Sequence, residues 1–133
     1  MIRKELVSCA DTFPDVFNDF EAWLNDNTVK ENKSFILVTD GPTDVKYYLK
    51  RQCALSDVPF PSWACEWIDL KLAFKRIFNL HYQPRLPVML EHLMIDFYGQ
   101  WHRGKDDVQN IANVLCQLIL DGYEITPNSD TSI

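Results

Sequence analysis

Phe35-Ile36-Leu37-Val38 is a short, continuous apolar run set between segments of helical periodicity, and it decides the fold class. Ahead of it, Phe13, Val16, Phe17, Phe20, Trp23 and Leu24 are spaced by threes and fours, which predicts an amphipathic helix. Asp11 or Thr12 can cap that helix, and Pro14 suits its first turn. Behind the run, Asp40-Gly41-Pro42-Thr43-Asp44 reads as a strand-to-helix turn. Val45 to Leu55 then reads as a helix, with Val45, Tyr48, Leu49 and Cys53 facing inward. Trp67-Ile68-Asp69-Leu70 alternates and predicts a second short strand. Leu72 to Phe78, Val88 to Leu93 and Asp106 to Leu120 read as helices, the last with Ile111, Val114, Leu115, Leu118 and Ile119 inward and Gly122 as its C-cap.

The expected class is therefore α/β with a sheet of only two or three strands, thin for a chain of 133 residues. Residues 1–126 form one domain in this reading, and the polar tail 127–133 is expected to fray. A formal charge of −6 removes the broad basic surface that most nucleic-acid binders carry. It does not remove nucleic acid as a partner, because metal ions held by carboxylates neutralise phosphates locally. Cys9, Cys53, Cys65 and Cys116 are dispersed, with no CxxC pair, so a structural zinc site is not expected. Free thiols fit a reducing intracellular compartment, cytoplasmic or nuclear. Arg3, Lys4 and Glu5 follow the start at once, no secretory leader is expected, and no apolar run approaches the ~18 residues that span a bilayer.

Chemistry concentrates in His102-Arg103-Gly104-Lys105-Asp106-Asp107-Val108-Gln109-Asn110-Ile111-Ala112. His102 lies five residues before Asp107, at the head of a helix, where a loop can fold the imidazole over the carboxylate. A base beside a metal ligand is what metal-assisted phosphodiester hydrolysis requires. Asp44 lies just past a strand end, where α/β sheets place functional groups. Each acid alone reads more readily as a helix cap, and only the set with His102 and Gly104 favours function. Asp19-Phe20-Glu21 imitates an Asp-x-Glu metal motif, but its periodicity is helical, and residues two apart on a helix point in opposed directions. The aromatics Trp63, Trp67, Phe74, Phe78, Tyr98 and Trp101 are expected in the core, with Trp101 beside the histidine the best candidate for stacking on a base. His81 and His92 have no partner at metal spacing.

Taken together, these stretches resemble the C-terminal two-thirds of the DEDDh 3′–5′ exonucleases of the ribonuclease H-like superfamily, in the enhanced-RNAi and histone-mRNA subgroup. Ala10–Pro14, Val38–Asp44, Gln52-Cys53, Trp67–Leu70, Met89–Glu91, His102–Ala112 and Asp121–Glu124 carry the similarity in the family's order, over about residues 9–126. The resemblance implies a partial ribonuclease H-like α/β/α fold and hydrolysis from 3′ ends of single-stranded or 3′-overhang RNA, or of DNA. In that family four carboxylates hold two divalent ions, usually Mg²⁺, and a histidine activates the water. By motif match Asp44 and Asp107 become metal ligands and His102 the general base, while Asp40 and Asp106 receive no metal role.

The departure lies in the family's first motif, Asp-Phe-Glu on the first strand, which stands about a hundred residues before the second. Here Asp44 is only 43 residues after Met1, and Asp19-Phe20-Glu21 matches the family's intervening helix instead. The first three strands and two metal ligands are therefore expected to be missing. Trp101 stands where the family often has proline. Two readings follow: a 3′–5′ exonuclease domain fragment that is inactive or very weak alone, or a non-catalytic short form acting as a binding module. Either leaves the sheet edge at Phe35–Val38 open to self-association.

Overall fold

A computed structural model describes residues 3–131. The chain divides into two compact units, each drawn from two stretches. One comprises the residues up to Phe35 with Leu49–Phe60; the other comprises Ile36–Tyr48 with Pro61 onward.

In the first unit, α1 (Lys4–Ser8) precedes α2 (Phe13–Asn27), with Thr12 at the N-cap and Pro14 in the first turn of α2. The Thr12 hydroxyl donates to Asp15 Oδ2 at 2.9 Å rather than to a backbone group. Phe17 and Leu24 are buried, but Val16, Phe20 and Trp23 from the same apolar stripe stay exposed, with Phe20 stacked on Trp23. The stripe is thus wider than the surface that this unit covers. Asp19 and Glu21 lie on α2, in keeping with the helical reading. Helix α3 (Lys50–Leu55) buries Cys53, whose thiol is pushed up by burial and further by Glu21.

The second unit holds the sheet. Strand β1 (Leu37–Thr39) pairs in parallel with β2 (Glu66–Asp69), Leu37 opposite Trp67 and Thr39 opposite Asp69. Strand β3 (Ser129–Asp130) pairs antiparallel on the other side of β2. The order β1-β2-β3 leaves one edge of β1 without a strand partner among the described residues. Helices α4 (Leu70–Ile77), α5 (Leu86–His92) and α6 (Gly104–Leu120) supply the core. Leu70, Phe74, Leu86, Met89, Leu90, Val114 and Leu118 pack into one cluster. Trp67 and Phe74 are core aromatics, and His92 packs against the Phe74 and Phe78 rings.

Tyr98 and Ile119, expected inside, are 53% and 55% exposed, and two segments also differ from the sequence reading. The helix after the Asp40–Asp44 turn begins as a π-helical stretch, Asp44–Leu49, before continuing as α3. Tyr48, expected inward, lies in this more widely wound stretch and is 67% exposed, whereas Val45 is buried. The tail also docks instead of fraying as far as Thr131. The Asn128 side chain accepts from Asp69 N–H (2.8 Å) and donates to Asp69 C=O (3.0 Å), copying a strand neighbour's pairing. The buried Trp67 Nε1–H donates to Thr131 Oγ1 at 2.7 Å. Thr131→Val keeps the shape and leaves that indole N–H without an acceptor, so it is expected to destabilise the chain by about 1–3 kcal/mol in chemical denaturation. An unchanged midpoint would show that the tail contributes nothing.

Candidate active site

A cleft of about 630 Å³ opens in the second unit, lined by Asp40, Asp44, Asp107, His102, Lys71, Arg85 and Trp101 together with Leu86, Pro87, Val88 and Ile111. All three residues singled out from the sequence, Asp44, His102 and Asp107, therefore face one space. Each arrives there from a different element. Asp40 follows β1, and the turn after it is set by Gly41 at φ +105° and by the Thr39 hydroxyl, which donates to Gly41 C=O at 2.7 Å. Asp44 then opens the π-helical stretch. Lys71 sits in the first turn of α4, whose N-cap Asp69 accepts from Leu72 N–H at 3.1 Å. The Lys71 chain passes over Gly41, its Cδ 3.6 Å from where a Cβ would stand. The cleft thus occupies the carboxyl ends of the parallel pair β1–β2, the usual position for a ligand in such a sheet.

His102 and Asp107 are positioned by two polar residues on the buried face of α6. Asp106, Asn110, Val114 and Leu118 are the buried residues of that helix, spaced by four along one stripe. Asp106 Oδ2 accepts from Gln100 N–H at 3.0 Å. Asn110 accepts from Tyr98 N–H at 2.8 Å and donates to Tyr98 C=O at 2.9 Å and to Asp106 C=O at 2.9 Å. The loop is therefore tied to the helix on both sides of Gly99. Gly99 has φ +75°, and a Cβ there would stand 2.3 Å from Asp106 Cγ. His102 itself sits at φ +62°, in a region that a residue with a side chain occupies at a cost of about 1–3 kcal/mol and that is concentrated at functional sites. The motif spacing located this loop; the clamp was not visible, because Asp106 and Asn110 read as ordinary acidic and polar helix residues.

Asp40, given no role from the sequence, is the most perturbed group in the cleft. Its Oδ1 is buried without a hydrogen-bond partner among the described residues. Its pKa is raised from 3.8, first by burial and then by Asp69, Asp44 and Asp107, with Lys71 opposing. Carboxylates facing one another with one oxygen unsatisfied make a pocket of negative potential that favours a cation. The donors nevertheless stop short of a closed ion site: among the described residues no three His, Cys, Asp or Glu side chains converge on one point. A two-ion centre does not fit these residues alone, since it needs further carboxylates.

Two substitutions test this account. Gly99→Ala forces Asp106 aside and strains the turn, so it is expected to lower the melting temperature by several degrees; an unchanged melt would show that Asp106 does not hold the loop. Burial makes ionised Asp40 costlier in the fold than in the unfolded chain. Its contribution to stability is therefore complete below pH 3.8 and lost as pH rises through the raised value. Asp40→Asn is expected to melt above the parent at pH 7, with the difference closing in acid. A gap that does not vary with pH would rule out this electrostatic cause.

Comparison with known proteins agrees with the geometry. The exonuclease (RNase T) family model matches residues 1–115. Human "3'-5' exoribonuclease 1" is 33% identical over 128 residues, which is 96% of this chain and 37% of that protein. The nuclease domain of 3'hExo, a DEDDh family member solved bound to rAMP, superposes with a TM-score of 0.86 at 32% identity, covering 97% of this chain and 65% of that one. A 3'-exonuclease structure described as showing 3'-end specific recognition of histone mRNA stem-loop gives a TM-score of 0.86 at 31% identity, covering 97% and 58%. The chain thus spans a little over a third of the length of the curated relative. No helix among the described residues is long and apolar enough to cross a membrane.

Proposed function

The chain belongs to the DEDDh 3′–5′ exonuclease family of the exoribonuclease 1 type, and from that premise we propose that its cleft is the base-bearing half of an RNA 3′-end hydrolysing centre. The single observation that carries this reading is the convergence of Asp44, His102 and Asp107 on one cleft. His102 takes the proton of the attacking water. The water oxygen bonds to phosphorus, and the bond from phosphorus to the 3′ oxygen of the preceding nucleotide breaks, that oxygen taking a proton from solvent to become the new 3′ hydroxyl while a nucleoside 5′-monophosphate is released. Asp44 and Asp107 would be two of the carboxylates holding Mg²⁺ in a centre completed by further ligands, and the metal would there supply charge stabilisation for phosphoryl chemistry. Lys71 and Arg85 line the same cleft and supply positive charge toward the phosphates. Single-stranded or 3′-overhang RNA is the proposed substrate, in the cytoplasm or nucleus.

The incomplete donor set favours a second statement: alone, this chain turns over RNA weakly or not at all and acts as a binding module. The removal of members from a cooperative catalytic set lowers rates by several orders of magnitude. The open edge of β1 is the proposed surface for self-association.

A gel assay on 5′-labelled single-stranded and 3′-overhang RNA with Mg²⁺ tests both statements. The chain alone is expected to leave the RNA intact. Joined behind a relative's leading segment carrying Asp-Phe-Glu, it is expected to shorten RNA stepwise from the 3′ end, with His102→Ala and Asp107→Ala each lowering the rate by roughly a thousandfold or more. A folded fusion that leaves RNA intact would remove the catalytic reading. Shortening by the chain alone, lost in EDTA, would remove the second statement.

A further inference from the structure

We propose that Trp101 is a stacking platform for a nucleobase of the strand whose phosphate lies beneath His102, an inference that rests on the exonuclease reading of the cleft. The sequence places an indole directly beside the histidine, and the structure keeps it out of the core. Trp101 is 41% exposed, whereas Trp67 is 1% exposed. One face of the Trp101 ring lies on Phe97, with centroids 3.8 Å apart and planes 24° from parallel. Phe97 packs in turn against the apolar cluster of α4, α5 and α6. The ring is thus braced from behind while still lining the cleft.

Its position is fixed as firmly as that of the histidine. Gln100 N–H is bound by Asp106, Tyr98 is bound on both backbone groups by Asn110, and Arg103 N–H donates to Gln100 C=O at 3.3 Å, closing a turn around Trp101 and His102. A braced aromatic plane loses little conformational freedom when a second ring covers it. Every nucleobase offers a π-face, so the contact is tolerant of sequence. The chemistry around the plane suits a nucleotide: Lys71 and Arg85 provide positive charge for phosphate, beside His102 and the carboxylates of Asp40, Asp44 and Asp107.

The test is binding of a short 5′-labelled single-stranded RNA to the full chain in EDTA, read by fluorescence anisotropy. The comparison strand carries abasic residues at its last two positions. Trp101→Ala is expected to weaken binding of the intact strand by roughly tenfold or more, Trp101→Phe to recover most of the loss, and Trp101→Leu, which keeps apolar volume without a ring, to recover little. The parent is expected to bind the abasic strand about as weakly as Trp101→Ala binds the intact one, and Trp101→Ala to lose nothing further on the abasic strand. His102→Ala is expected to leave these differences in place. Circular dichroism of each variant confirms that the fold is kept. Retained RNA binding that is indifferent to Trp101→Ala, or an equal loss on both strands, would overturn the platform and leave the exonuclease reading standing. No RNA binding by the folded parent would overturn the platform and the binding-module statement, while the fusion assay decides the catalytic reading separately.

Discussion

Two buried polar side chains on helix α6 govern the rest of the site. Asp106 and Asn110 occupy positions on the stripe that Val114 and Leu118 continue in apolar form. Buried polar groups are unfavourable unless they are bonded, and here the backbone of the preceding loop supplies the partners. The arrangement binds both sides, because the loop's N–H groups have no strand or helix of their own to satisfy them. The positions of Trp101, His102 and, one residue along the helix, Asp107 all follow from this pairing. Gly99 is the steric condition for it, since only a residue without Cβ lets the loop approach the carboxylate so closely.

The cleft itself is an electrostatic compromise. Asp69, Asp44 and Asp107 act on Asp40, and Lys71 is the cation that opposes them there. A protein tuned for stability alone would not keep a buried oxygen that has no hydrogen-bond partner among the described residues beside further carboxylates. Such frustration makes the cleft receptive to positive charge.

The periodic elements were legible in the sequence because helices α2, α4, α5 and α6 carry apolar spacing that local physics alone explains. Asp44, His102 and Asp107 were legible because their offsets from strand and helix starts survive in a linear pattern. What escaped depends on distant partners or on unusual winding. Asn128 pairs with Asp69, 59 residues away, and nothing in the polar tail announces that contact. Tyr48 belongs to the inward face of an ideal α-helix, yet it lies in the π-helical stretch and is exposed. Asp40 looked like a turn residue; its significance lies in what surrounds it. Val16, Phe20 and Trp23 show the opposite limit: an apolar stripe records an affinity for apolar surface without saying how much of that surface the described residues provide.

The segment from Asp44 to Leu55 begins in one compact unit and ends in the other. Each unit is therefore discontinuous along the chain, and no single cut releases either of them whole. Taken alone, the stretch from Pro61 onward would carry His102 and Asp107 but leave Asp40, Asp44 and strand β1 behind.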